Sequence, residues 1–232
     1  MKDYFKILCI CLLATSAFAQ KKVDKTLPYK SGQTVNLGLK FADSITVRYW
    51  DKPDALVKMD ITINGGRLND ALTIETSQTS EEVKLSTDFD QEILKQSLKS
   101  DCPESKSGNW TDKDGVTRYL CKTINYQVFL PKNARLKLET IDGNIDIEGA
   151  NSAVSAKTIS GYVDMNWSGT NGANVAMKTI TGEVYSDLNI DFKNKHEKSP
   201  IVGYLLEGTI RGGGPDVRLE SISNNVYLRQ KK

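Results

Sequence analysis

The chain has 232 residues, 26% of them charged and 39% hydrophobic, and 31 Lys+Arg against 29 Asp+Glu leave a net charge of +2. So balanced a surface gives no electrostatic case for nucleic acid or an anionic membrane. The length is enough to bury a substantial core, and past the N-terminus no apolar run approaches the ~18 residues of a membrane-spanning helix.

The chain begins "MKDYFKILCICLLATSAFA": Lys2 and Lys6, an apolar run from Ile7, then the small-residue end Ala17-Phe18-Ala19. That pattern predicts a secretory signal peptide over residues 1–19, cleaved after Ala19. Gln20 would then begin a mature chain of 213 residues, at a net charge of +1 once Lys2, Lys6 and Asp3 are gone. Cys9 and Cys11 lie inside the apolar run, which disfavours a lipid anchor. The expected location is exported: periplasm, cell surface or secreted.

Period-two alternation follows in short segments. Val35, Leu37 and Leu39 are the first set, then Ile45, Val47 and Tyr49, then Met59, Ile61 and Ile63. Leu72 and Ile74, and Val83 and Leu85, continue it, with turn formers at 51–54 and 64–66. Half-buried strands are expected throughout. The exception is "QEILKQSLKS" (91–100), where Ile93, Leu94 and Leu98 would share one helical face.

That segment opens a polar excursion at about 91–122 holding Cys102 and Cys121. In an exported protein a lone pair of cysteines is expected to form a disulfide. The alternatives are two free thiols or a metal site, and a metal would need more ligands than the distant His196 offers.

Strand pattern resumes at Ile124, and from Leu136 one sentence is rewritten four times. "LKLETIDGNIDIEG" is followed by "VSAKTISGYVDM", "VAMKTITGEVYSDL" and "VRLESISNNVYL". Each copy has Thr or Ser, Ile, one variable residue, then Gly143, Gly161, Gly182 or Asn224. Inward parity switches at each turn, from Leu136, Leu138 and Thr140 to Ile145 and Ile147. A two-residue hairpin and a sharp corner both allow that switch. Thr181 at the first turn position resists the positive φ that a type I′ hairpin needs there, and one left-handed Gly or Asn per copy fits a corner. The Ile and Thr of the motif are assigned to a stacked interior.

The corner advances by 18, then 21, then 42 residues, with Gly203 read as a degraded copy midway. Periods near 20 suggest stacked coils, each too small to be stable alone. The expected fold is all-β: a single-stranded, β-helix-like β-solenoid of stacked short strands, less regular in its N-terminal half, forming one domain over 20–232. Arg229, Lys231 and Lys232 are expected at its final edge, where charge discourages strand addition.

The run "LPKNARLKLETIDGNIDIEG", with "VSAKTISGYVDM" and "GTIRGGGPDVRLESISNNVYLRQ", resembles the bacterial putative-adhesin family of domains of unknown function. The resemblance is clearest from about Val128 onward. It implies an exported β-solenoid of Bacteroidetes type and supplies no catalytic residues.

Motifs for chemistry are scarce. His196 sits in the charged stretch "NKHEKSP", and "GTIRGGGP" lacks the Gly-Lys-Ser/Thr of a phosphate loop. "DKDG" (112–115) has too few ligands in register for a calcium loop. No catalytic residue, cofactor or metal is predicted. In a stack ordered along the chain, Asp146, Asp164, Tyr185 and Tyr227 form one outward column, and Glu148, Asn166, Asp187 and Arg229 the next. Such columns could meet a cation or a sugar, although a hydrated sheet face explains them too. Trp110 and Trp167 are further candidate aromatics. These features point to a non-enzymatic cell-envelope protein, an adhesin or scaffold for an unknown envelope protein or glycan. The alternatives are a polysaccharide-active enzyme using Asp146, Asp164 and Glu148, or a purely structural assembly component.

Overall fold

A computed structural model describes residues 20–102, 108–193 and 203–231. Residues 1–19, where a signal peptide is expected, His196 and Lys232 lie outside the described residues. The structure is all-β, in two mixed sheets of nine and eight strands with a separate two-stranded hairpin.

Units of strand, corner and strand dominate it. Each unit starts in the nine-stranded sheet and crosses to the eight-stranded one. In spatial order the first is β6 (Glu82–Phe89) with β9 (Lys122–Pro131). Next come β2 (Thr34–Leu39) with β3 (Ser44–Trp50), and β10 (Arg135–Asp142) with β11 (Asn144–Glu148). Beyond them lie β12 (Val154–Ser160) with β13 (Val163–Trp167), and β18 (Asp216–Ser221) with β19 (Val226–Gln230). The last is β14 (Ala173–Lys178) with β15 (Val184–Ser186). Neighbouring units are parallel in both sheets, so Leu136 lies beside Val154, and Ile145 beside Val163.

Antiparallel strands flank the units. β4 (Ala55–Ile63) and β1 (Lys21–Leu27) extend the eight-stranded sheet past β9. β5 (Leu72–Gln78) extends the nine-stranded sheet past β6, and β17 (Leu205–Ile210) and β16 (Asp191–Phe192) extend it past β14. One cluster of buried apolar side chains draws on both sheets, including Leu37, Ile45, Leu138, Ile147, Ala156 and Leu228.

The Thr or Ser of the repeat is buried for a specific reason. Thr158 donates its hydroxyl to the Gly143 carbonyl of the neighbouring unit (3.1 Å), and Ser221 to the Gly161 carbonyl (2.7 Å). Thr179 donates to the Asn224 carbonyl and Thr140 to the Leu39 carbonyl, both at 2.6 Å. Each hydroxyl thus satisfies a backbone acceptor one layer away, and at the buried Thr140 and Thr158 bonds an unmet acceptor would cost ~1–3 kcal/mol.

Several expectations are corrected. The fourth copy stacks between the second and third, because the chain leaves β15 for β16 and β17 and then returns to fill the slot beside β12. Gly203 therefore marks no coil: it precedes β17, which runs antiparallel to β14. β19, with Arg229, is an interior strand, and β15 is the edge.

The N-terminal half contributes a unit like the repeats. β2 and β3 lie in register with β10 and β11, with Phe41 as the left-handed corner residue (φ 62°). Among the described residues α-helix forms only over Gln91–Leu94, capped by Asp90, whose carboxylate accepts from the Glu92 and Ile93 amides.

The corner residues are not uniformly left-handed. Gly143 has φ 114°, but Gly182 and Asn224 are not among the positive-φ residues. Close approach decides instead: a Cβ on Gly161 would lie 2.2 Å from the Gly143 carbonyl oxygen, and one on Gly182 would lie 2.3 Å from that of Asn224. The motif isoleucines Ile141, Ile159, Ile180 and Ile222 are absent from the buried core, since they alternate with the buried Thr or Ser.

Candidate functional site

Strand alternation leaves three outward residues per repeat on the eight-stranded sheet, and parallel stacking sets them in rows. The central row reads Thr46, Asp146, Asp164, Tyr227, Tyr185. It unites the four predicted residues but reverses the two tyrosines, because the last repeat is inserted before the third. In the row beyond, Arg48 lies beside Glu148 and Asn166 beside Arg229. Nearer the corner stand Asn144, Tyr162, Asn225 and Glu183.

These rows interlock. The Tyr227 and Tyr185 rings stack, with centroids 5.2 Å apart and planes at 11°. Tyr162 meets Tyr227 edge-on at 6.3 Å. Arg229 lies over the Tyr227 ring, 4.6 Å from its centroid, and its Nε donates to both Asp164 oxygens at 3.0 and 2.9 Å. Asn225 donates to the Tyr227 hydroxyl (2.8 Å), the Glu183 amide donates to Asn225 Oδ1 (2.9 Å), and the Tyr185 hydroxyl donates to the Glu183 carboxylate. Tyr162 Oη donates to Asp146 Oδ2 at 3.4 Å.

The cluster ends in Tyr185, 45% exposed on the short edge strand. Next to it a shallow groove of about 420 Å³ is lined by Glu148, Asn166, Asp187, Arg229, Gln230 and Lys231, with Gly149. Asp187 is fixed there by accepting from the Gln230 amide (2.6 Å).

Electrostatics differ along the central row. Burial, and then the negative charge of Asp164, raises the Asp146 carboxyl above the usual carboxylate range. The Tyr162 phenol is raised by burial first and by Asp146 second. Hydrogen bonding to Asp164 raises Arg229.

Other candidates are placed elsewhere. Trp167 is fully buried, its indole N–H donating to the Asn171 carbonyl (3.2 Å). Trp110 is a partly buried residue of the hairpin β7 (Gly108–Thr111) and β8 (Thr117–Leu120). In "DKDG", Asp112 accepts from the Asp114 and Val116 amides at 3.0 and 2.9 Å and from Arg118 Nε at 2.8 Å. That carboxylate is committed to its own turn. The glycines of "RGGGP" serve a tight crossing: a Cβ on Gly172 would lie 2.1 Å from the Gly213 carbonyl oxygen.

Cys102 and Cys121 form the disulfide, with Cα atoms 5.6 Å apart. Among the described residues no group of His, Cys, Asp or Glu could hold a metal ion, and no helix is long and apolar enough to cross a membrane. The sequence reading missed Tyr162, Asn225 and Glu183. Their signal was the parity that found their neighbours, applied two residues earlier at each corner.

No family model matches the chain, and no curated protein matches it. Two solved structures do. One is described as a putative cell adhesion protein from Clostridium sporogenes, 14% identical, with a TM-score of 0.53 over 92% of this chain and 100% of that one. The other is described as a putative adhesin from Bacteroides fragilis, 11% identical, with a TM-score of 0.30 over 92% of this chain and 98% of that one. At 14% identity the likeness to the Clostridium sporogenes structure is one of fold.

Proposed function

We propose that the chain from Gln20 onward is an exported, non-enzymatic β-solenoid that binds a glycan of the cell envelope through the outer face of its eight-stranded sheet. The observation that carries this reading is the tyrosine cluster. Tyr162, Tyr227 and Tyr185 are held in fixed orientations by Asp146, Asn225, Arg229 and Glu183, ending in an exposed ring. Rigid aromatic surface beside well-placed polar groups suits a sugar ring, with its apolar face and hydroxyl rim. The adjacent groove mixes carboxylates, amides and cations, so it offers both donors and acceptors.

The solenoid reading is supported by the parallel units that share one register in both sheets. Export is supported by residues 1–19 and by the Cys102–Cys121 disulfide, which suits an oxidising compartment. The description of the Clostridium sporogenes structure as a putative cell adhesion protein agrees with an adhesin-like role.

The test is mature protein on a glycan array and in pull-downs with envelope fractions. Binding is expected, with Tyr185→Ala and Tyr227→Ala each losing at least about tenfold, as aromatic hot spots do. Silence on every glycan and fraction would remove the proposal. Binding that ignores both substitutions would move it to another surface.

A further inference from the structure

The isoleucine of the repeat is not part of the buried core. Thr158 and its counterparts face inward, so the isoleucines next in sequence face outward from the nine-stranded sheet. The order of the strands gives the sequence Ile141, Ile159, Ile222, Ile180, with Ile141 and Ile159 inside β10 and β12 and Ile222 and Ile180 just past the ends of β18 and β14. Direct backbone bonds connect it: Ile222 N donates to the Thr158 carbonyl, Ser223 N to the Ile159 carbonyl, and Ile180 N to the Ile222 carbonyl. Ile159 and Ile180 are 40% and 39% exposed. The solvent-facing position one residue later varies freely among Asp142, Ser160, Thr181 and Ser223. Strand propensity would accept Val, Thr or Tyr in place of Ile, yet all four copies keep Ile.

The outward row two residues earlier supplies the second observation. Across the same four strands it reads Glu139, Lys157, Glu220, Lys178, alternating in sign. An alternating row of four is complementary to its own reverse. A two-fold axis parallel to the strands, passing between β12 and β18, sets Glu139 opposite Lys178 of a second copy and Lys157 opposite Glu220. The same axis sets Ile141 against Ile180 and Ile159 against Ile222. Moving the axis by half a strand spacing, onto β12, brings Lys157 onto Lys157 and Glu139 onto Glu220, which like-charge repulsion opposes. A full strand spacing pairs Glu139 with Lys157 again but leaves Glu220 and Lys178 without their partners across the two-fold.

We propose that this face is a self-association surface: two copies of the chain pack through the isoleucine row, with register set by the Glu–Lys row. The isologous geometry closes the assembly at a dimer. Glu139 and Glu220 are already beside Lys137 and Arg218 of their own strands. The Lys137–Glu139 pair is exposed at both ends, so it is worth little and can exchange partners, whereas Glu220 is held more closely, with its side chain 16% exposed. The patch is narrow, so the dimer is weak and concentration-dependent, as interfaces below ~1,200 Å² are. Its eight-stranded sheets face away from each other, which would make the dimer bivalent.

Sedimentation equilibrium on the mature chain, from micromolar to millimolar, tests this without reference to any glycan. The mass average is expected to climb toward twice the monomer. Ile159→Asp and Lys178→Glu should each weaken association by about tenfold or more, with circular dichroism and Tm reporting that the fold persists. Adding Glu139→Lys to Lys178→Glu restores opposite charges across the two-fold and should restore the dimer. A single monomer mass at every concentration overturns the proposal. So does a dimer indifferent to Lys178→Glu, or a double charge swap that fails to rescue.

Discussion

Two corners at the same end of the molecule join the same two sheets by opposite means. Between β12 and β13 the chain turns at Gly161 and Tyr162; between β6 and β9 it leaves for residues 90–121 before returning. The difference follows from what lies on either side. The β12–β13 corner is enclosed between the corners of β10–β11 and β18–β19, close enough that the Gly143 carbonyl leaves no room for a Cβ at Gly161. The β6–β9 junction has a parallel unit on one side only, with antiparallel β5 and β4 on the other. An insertion there has space to grow outward. Repetition is thus enforced where layers press on each other from both sides, and it lapses where they do not.

What holds the two corners differs as well. The tight one is held by stacking, since the Thr158 hydroxyl bonds the corner below and the Gly161 carbonyl accepts from Ser221 above. The open one needs its own fastenings: the disulfide, buried Leu94, and Asp101. The Asp101 carboxylate accepts from Arg67 Nε (2.9 Å), the Leu98 amide (2.9 Å) and Asn64 Nδ2 (3.4 Å).

The largest effect is expected where the comparison is most rigid. Gly161→Ala places a methyl against backbone that is itself stacked, so it cannot escape by a rotamer change. A loss of about 3 kcal/mol or more is expected by urea denaturation, at the upper end of overpacking costs. A loss under ~1 kcal/mol would mean the corners are not in contact as described.

Next comes the open corner. Replacing Cys102 and Cys121 together by Ala removes a cross-link spanning 19 residues, worth about 3 kcal/mol in the chain-entropy model. Hydrogen exchange should show the loss concentrated in 91–121, with β10 to β13 keeping their protection in native conditions. Equal loss of protection in β10 to β13 would show that the excursion and the stack are one cooperative body.

The stack was legible because its rule is local. Period-two alternation, a parity switch and a recurring Gly expose Leu138, Thr158 and Ile145 as inward from sequence alone. Its order was not, because inserting the last repeat between the second and third is decided by a long return through β16 and β17 that leaves no periodic mark. β2–β3 is not legible as a fifth copy for a related reason. Its corner uses Phe41 as the left-handed residue, and that ring stacks on Phe89 at 4.4 Å, so tertiary packing replaces the glycine signal. The site shows the same division. Parity named Asp146, Asp164, Tyr185 and Tyr227 as one row, but only the fold shows Arg229 bridging Asp164 to the Tyr227 ring.

The smallest effect separates the two regions by pH. Hydrogen bonding from Arg67 holds the Asp101 carboxyl below its ordinary value, and the Val116 amide leads in doing the same for Asp112. A carboxyl lowered in the folded state contributes stability above its unfolded pKa of about 4 and loses it as pH falls through the folded value. The stack carries the opposite sign at Asp146, raised by burial and Asp164, whose protonation as pH falls favours the folded form. Acid should therefore loosen the excursion first. Between neutral pH and about pH 3, amide exchange is expected to rise, relative to its unfolded reference rate, in 91–121 before it rises in β10 to β13. Asp101→Asn should flatten that acid response while lowering stability at neutral pH, because the carboxylate that bonds Arg67 is gone. If the excursion and the stack instead opened at the same pH, or if Asp101→Asn left the acid response unchanged, the Arg67–Asp101 contact would not be what fastens the open corner.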